Sequence, residues 1–413
     1  MLPPERRIST VRPANRSRFF ITPASATAPP GFAPRMAAGY CAYFLYVGLY
    51  TPYFPVWLKA QALNPAEISA VLSAALIVRV LGLNQVMVFA DRFRDRAVLL
   101  TRLYWMAAAS VMLFLAATNF WSILIVAALY NLFFNPVLPL LDAIVMAGVR
   151  RFDADYGRIR IWGSLMFTAA NLTGGWLLAE GPAEFILYTL LSCMVLGAIA
   201  SSAIPRIGRR TPPADIALEA RTRRRLLANR PFLLTLAACG LAQASHSLLY
   251  GFGTIHWQAL NYSGFAIGAF WAVGVATEIV LFRFAKRLLK VLPPPAVIAL
   301  GCIGGAVRWS LFPVAGGETA FLLLQALHGL SFGAVHIGLM HFIMEAVPEE
   351  NLGAAQGAGF VLGGIFMGVG VFFAGPLYAA LGGDGYWVMA AVCIAALAIL
   401  ALARRSGGFP STP

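Results

Sequence analysis

From residue 36 to residue 405 the chain alternates long apolar runs with short stretches that are basic, polar or rich in glycine and proline. A helix needs roughly 20 apolar residues to cross the hydrocarbon core. Only helices and closed barrels satisfy their own backbone groups there. The runs predict twelve spanning helices, at about 36–58, 66–90, 97–117, 120–148, 158–179, 183–204, 231–257, 263–285, 294–313, 319–347, 352–381 and 385–404. The longest connection, 205–230, holds Arg206, Arg209, Arg210, Pro212, Pro213 and the run Arg223, Arg224, Arg225. It separates a six-helix bundle at 36–204 from a second at 231–405, with tails at 1–35 and 406–413. A weak repeat relates the bundles, because FADRFRDR (Phe89 to Arg96) follows span two and FRFAKRLLK (Phe282 to Lys290) follows span eight. The expected fold is an all-α membrane protein, twelve transmembrane helices in two six-helix halves, with its site between them near the bilayer midplane.

Charge orients this arrangement. Of 31 Lys and Arg residues, 28 fall in the two tails and the even-numbered connections; Lys59 lies in a loop of opposite parity, and Arg79 and Arg308 lie inside spans. Basic residues collect in cytoplasmic loops, so both termini are expected in the cytoplasm of a bacterial inner-membrane, multi-pass protein. A net charge of +14 by itself suggests nucleic acid. Here the basic residues are interleaved with bilayer helices and form no single face, so orientation explains them and no nucleic-acid partner is expected. Composition agrees, with 60% hydrophobic and 12% charged residues and a mean hydropathy of +0.75. Cys41, Cys193, Cys239, Cys302 and Cys393 all fall inside spans without paired spacing, as buried apolar side chains do. The first 35 residues are rich in Arg, Ser and Pro. They fit a disordered cytoplasmic tail better than a transit sequence.

Charges at bilayer depth face a bundle interior or a water-filled cavity, and there are four: Arg79 in span two, Asp142 in span four, Glu278 in span eight and Arg308 in span nine. They read either as functional groups or as two ion bridges that fix packing, Glu278 facing Arg308 and Arg79 facing Asp142. Asn131, Asn135 and Asp142 share a helical face interrupted by Pro136 and Pro139, which predicts a kinked, cavity-lining helix. Span one carries the stripe Tyr43, Tyr46, Tyr50, Tyr53, Trp57. Tyr53 and Trp57 are expected as interface anchors, and Tyr46 and Tyr50 as deeper groups that either pack or line a site. Span seven aligns Gln243, Ser247, Tyr250 and Thr254 beside His246, with the same two readings. Span ten contains His328, His336 and His341, which do not converge on one metal in a regular helix, and no metal or catalytic motif is present. Span eleven is dense in glycine, which permits close helix approach.

The segments GLYTPYFPVWLK (Gly48 to Lys59), NPVLPLLDA (Asn135 to Ala143) and DYGRIRIWGS (Asp155 to Ser164) resemble the phenylpropionate permease group of the major facilitator superfamily, related to the lactose permease type of proton symporter. In that type an acid in helix eight, an arginine in helix nine, and a histidine followed three residues later by an acid in helix ten carry proton coupling. The resemblance assigns Glu278, Arg308 and His328 to the first three places, and Ser331 stands in the fourth. It implies a proton-coupled importer of a small organic substrate, an aromatic carboxylate such as phenylpropionate, working as a single chain by alternating access without a cofactor. Arg79 or Arg308 would meet the carboxylate; Tyr46, Tyr50, Asn131, Asn135, Asp142, Gln243, His246 and Tyr250 complete the candidate substrate site. Sugar or nucleoside proton symport and drug-type efflux antiport are the rival readings. A membrane-embedded enzyme using His328 and Glu278 as acid and base is a remote one, opposed by the two-half layout.

Overall fold

A computed structural model describes residues 27–90, 93, 95–208, 221, 224–348 and 351–406. Most of the 1–35 tail, the centre of the Phe89 to Arg96 loop, the middle of the 205–230 connection and the final tail therefore lie outside the described residues. The helices are α1 (Phe32–Ala60), α2 (Pro65–Ala90), α3 (Arg96–Leu113), α4 (Phe120–Phe134), α5 (Val137–Phe152), α6 (Tyr156–Glu180) and α7 (Glu184–Ser202) in the first half. The second half holds α8 (Arg230–Ala244), α9 (Ser247–Ala259), α10 (Gly264–Val291), α11 (Pro294–Leu311), α12 (Glu318–Ala326), a π-helical turn (Gly329–Ala334), α13 (Val335–Ala346), α14 (Leu352–Leu381) and α15 (Gly385–Arg405). Three crossings are each built from more than one piece: α4 with α5, α8 with α9, and α12 with the π-turn and α13. Counted so, the described residues make twelve crossings in two six-helix halves. Nine stretches qualify as spans by length and hydropathy. The last of these, Leu352–Arg405, contains both α14 and α15, and α1 and α6, at 29 and 25 residues, are also long enough to cross.

Local sequence sets where the helices start. Asp95, Asp155, Asn229 and Ser263 each accept a backbone N–H of the following turn, and Asn119 forms a reciprocal capping box with Ser122. Helix α1 starts four residues before the apolar run suggests, at Phe32, just after Gly31 in a left-handed conformation. The anticipated kink in span four is a full break at Asn135 and Pro136, where proline removes a helical donor. Outward faces carry large apolar side chains, among them Trp121, Ile125, Phe265, Leu323, Phe373 and Ile394. Exposed in the isolated chain, such side chains face lipid in a bilayer.

The halves meet most extensively along α2 with α14 and α6 with α10. They close at the end opposite the chain termini. There Ser69 Oγ donates to the Phe372 carbonyl across the halves at 2.9 Å. At the same end Gly175 of α6 lies against Gly264 and Gly268 of α10, so closely that a Cβ on Gly268 would stand 2.8 Å from the Asn171 carbonyl. All buried residues of α10 fall within its first eleven, Gly264 to Gly274, so its terminus-side half is the less enclosed one. The molecule is thus closed at one end and open on the side of the termini. Because the closed end depends on backbone meeting backbone, Gly268→Leu is expected to hold that end apart. Spin labels at Gln61 and Asn261 should report a longer distance in this variant, and an unchanged distribution would contradict the role given to this contact.

Candidate functional site

The second half holds a continuous polar network, brought together by the breaks in its helices. Arg308, near the end of α11, is fully buried. One terminal nitrogen, Nη1, lies 3.1 Å from His328 Nδ1 and 3.1 Å from Ser331 Oγ. The other donates to Gln325 Oε1, and the guanidinium carbon sits 4.3 Å over the Trp309 ring. His328 Nε2 in turn faces Glu278 Oε2 at 3.8 Å. Ser331 Oγ also lies 3.1 Å from His246 Nε2, and His246 Nδ1 lies 3.1 Å from the Gln243 carbonyl.

These partners settle the direction of each hydrogen bond. Arginine only donates and a carbonyl only accepts, so His328 Nδ1 must accept from Arg308 and His246 Nδ1 must carry a proton. His328, if neutral, then bears its proton on Nε2 and points it at Glu278. Ser331 accepts from Arg308 and lies beside His246 Nε2. The ionisable ends of the chain are Arg308 and Glu278. The sequence reading placed Glu278 directly opposite Arg308. The structure corrects this, since His328 stands between them.

The close approach that makes this possible is glycine-dependent. Gly329 N lies 3.3 Å from Thr277 Oγ1, and a Cβ on Gly329 would stand 2.7 Å from the Thr277 carbonyl. The π-turn that starts at Gly329 is a geometry concentrated at functional positions. It turns Ser331 towards Arg308 and Phe332 outwards. Phe332 stacks on His328 (centroids 5.2 Å, 20°) and on His336 (6.5 Å, 11°), and Gln243 Nε2 lies 3.3 Å from its carbonyl.

Beside the network lies a cavity of about 840 Å³ between the halves, lined among others by Arg79, Gln243, Phe332, His336, Gln356 and Phe360. The Arg79 guanidinium lies 4.6 Å over the Phe360 ring and has no hydrogen-bond or ion partner among the described residues. An Arg79–Asp142 bridge, one sequence reading, is absent; Asp142 instead accepts from Tyr40.

The other candidates lie elsewhere. Tyr46 and Tyr50 belong to an aromatic cluster of the first half, with Tyr46 stacked on Tyr50 and packed on Tyr130 and Phe134 at 5.7 and 4.9 Å. Asn131 donates to the Ala127 carbonyl of its own helix at 2.8 Å, and Asn135 reaches Asn131 at 3.5 Å. Tyr46, Tyr50, Asn131, Asn135 and Asp142 are all outside the lining of this cavity. Tyr250 stacks between His246 and Trp271. Tyr53 and Trp57 are not interface anchors: both are buried, Tyr53 donating to the Asn171 carbonyl at 2.6 Å and Trp57 packing on Phe54 and Phe114. Of the network and cavity, sequence reasoning missed Gln325, Trp309, Phe332, Gln356 and Phe360. The spacing of four in His328, Phe332 and His336 was the available signal, legible in full only once the turn there is π-helical.

The family model described as MFS_1 like family matches residues 34–389. A probable 3-phenylpropionic acid transporter of Escherichia coli is 30% identical over 371 residues, covering 88% of this chain and 95% of that protein. A maltose permease of Geobacillus stearothermophilus is 26% identical over 313 residues, covering 74% and 77%. The crystal structure of nucleoside transporter NupG superposes with a TM-score of 0.81 over 91% of this chain and 99% of that one, at 15% identity, a likeness of fold. With the family model spanning most of the chain and twelve crossings in two halves, the protein is a multi-pass membrane transporter of the MFS_1 like family, in the phenylpropionate permease group of the major facilitator superfamily.

Proposed function

We propose that this protein imports a small aromatic carboxylate together with a proton, by alternating access between its two halves. The observation that carries the reading is the Glu278–His328–Arg308 chain beside a cavity in which Arg79 has no counter-charge among the described residues. An unpaired guanidinium at bilayer depth is costly. Its forked donors match a carboxylate, and the surrounding Phe332, Phe360 and His336 supply ring faces. Glu278 is the proton carrier, since His328, which faces it, offers Nδ1 unprotonated to Arg308. Arg308 is fully buried and already bonded on both terminal nitrogens, so Arg79 is the substrate's arginine. The relative from Escherichia coli supports the substrate class.

Sugar or nucleoside symport is the second reading, favoured by the amides of Gln243 and Gln356 in the cavity lining. Competition against radiolabelled 3-phenylpropionate in proteoliposomes, by aromatic acids, sugars and nucleosides, separates the two. Arg79→Lys keeps the charge and loses the fork. It is expected to weaken an aromatic acid by roughly tenfold, as a lost charge-assisted hydrogen bond does, and a neutral analogue far less. Equal losses for both would favour the second reading.

With the termini in the cytoplasm, the open side faces inward. Single cysteines at Gln61 and Gly316 should then react with an impermeant reagent from the periplasm, and one at Val291 should not. Reversed labelling would overturn the orientation and the direction of transport.

A further inference from the structure

We infer that the terminus-side end of α10 is a docking surface for an anionic phospholipid of the adjoining leaflet, with the headgroup on Arg283, Lys286, Arg287 and Lys290 and an acyl chain on the apolar stripe beside them. This goes beyond the transport reading and does not depend on the substrate. The four basic residues follow one another at steps of three, one and three, which at 3.6 residues per turn puts them within an arc of about 100°. Val280, Phe284 and Val291, at steps of four and seven, run alongside. All seven side chains are exposed, Val291 by 80%. The Arg287 guanidinium lies 5.3 Å over the Phe284 ring, where the two stripes touch. Helix α10 has 28 residues, about 42 Å at 1.5 Å per residue against a hydrocarbon core of about 30 Å. Phe265, in its first turn at the closed end, is exposed as lipid-facing side chains are. The excess of about 12 Å, or eight residues, therefore falls at the other end and sets the basic residues at headgroup level.

The charge on this face is not spent within the protein. Arg283, Lys286 and Lys290 have no hydrogen-bond or ion partner among the described residues. Basic residues on the same side of the first half are engaged: Arg151 donates to the Ile207 and Gly208 carbonyls, and the Arg160 guanidinium lies 4.1 Å over the Phe44 ring. The negative end of the helix dipole accounts for Lys290, in the last turn. It does not account for Arg283, seven residues earlier. Like charges three and four residues apart on a helix repel, and an anion seated among them relieves that repulsion. A basic cluster beside a membrane helix is what anionic headgroups recognise. The exposed apolar stripe on its flank fits the chain that such a headgroup carries, which a free phosphate lacks.

The test is native mass spectrometry of the purified full-length protein, given equal amounts of phosphatidylglycerol and phosphatidylcholine with the same acyl chains, with and without an excess of glycerol phosphate as the headgroup alone. Wild type should retain phosphatidylglycerol over phosphatidylcholine by roughly tenfold or more, as several basic residues at a membrane surface provide, and glycerol phosphate should not displace it. The variant carrying Arg283→Gln, Lys286→Gln, Arg287→Gln and Lys290→Gln should lose that preference. Should it not yield folded protein, Lys286→Gln with Lys290→Gln keeps two of the charges and should lower the preference roughly threefold. Equal retention of the two lipids by wild type, or a preference unchanged in the Gln variants, overturns the docking surface. Displacement of the lipid by glycerol phosphate overturns its assignment to a phospholipid and gives the basic face to a free phosphate. All of these outcomes leave the transport reading standing.

Discussion

Glu278→Gln is expected to abolish accumulation driven by a proton gradient while leaving substrate exchange across the membrane intact. Glu278 is the one carboxylate deep in the second half. It faces, at 3.8 Å, a histidine whose other nitrogen is committed to Arg308. For His328 to take up a proton, its Nδ1 would have to give up the Arg308 donor, which would set two positive charges side by side. Glu278 can gain a proton without losing any donor, and doing so removes the negative end of the network. That change in charge is what a symporter needs to link proton binding to the movement of its halves. Glutamine copies the protonated carboxyl in size and neutrality, so the variant should be locked in the loaded form. Counterflow of labelled substrate should continue at a rate near wild type, and gradient-driven uptake should fall to simple equilibration. Gradient-driven accumulation at the wild-type level would remove Glu278 from the proton path.

Arg308→Met should cost both transport and fold. It removes the donors serving His328, Ser331 and Gln325 at once. Hydrogen bonds between membrane helices average well under 1 kcal/mol. The larger loss is that of three buried acceptors left without a donor, and an unsatisfied buried polar group costs about 1–3 kcal/mol. Thermal unfolding in detergent should show a large drop in Tm. Ser331→Ala, which removes only a hydroxyl, should cost about 1 kcal/mol. Arg308→Lys keeps the charge but cannot reach His328, Ser331 and Gln325 together. It should recover much of the stability and little of the transport. If Arg308→Met unfolds at the temperature of wild type, the network is not the structural centre of the second half.

Much of this was legible in the chain because lipid imposes a simple code. Length of apolar run, loop charge and a long central connection were enough to expect twelve helices in two halves. The charges at bilayer depth pointed to Glu278 and Arg308 for the same reason, and the family resemblance added His328. Side-chain partners were harder to read. Arg79 and Asp142 look like a pair in sequence, yet the fold turns one into the cavity and the other onto Tyr40. Tyr53 and Trp57 sit near the end of a span, where anchors are common, but α1 is enclosed by α6 and α7, so both are buried. A regular helical wheel already sets His328 and Phe332 on one face and lets His336 drift from them, and with the π-turn in span ten the structure stacks all three in a column. Ser331, where related symporters have an acid, turns out to link Arg308 to His246, a function no spacing rule reveals.

The central claim is tested most directly by uptake of labelled 3-phenylpropionate into proteoliposomes whose interior is made alkaline. Protein-free liposomes under the same gradient measure the protonated acid that crosses unaided. The account predicts accumulation well above that background in wild type, its collapse when the gradient is dissipated, and its absence in Glu278→Gln. Protein-dependent uptake that proceeds equally with and without the gradient would contradict it.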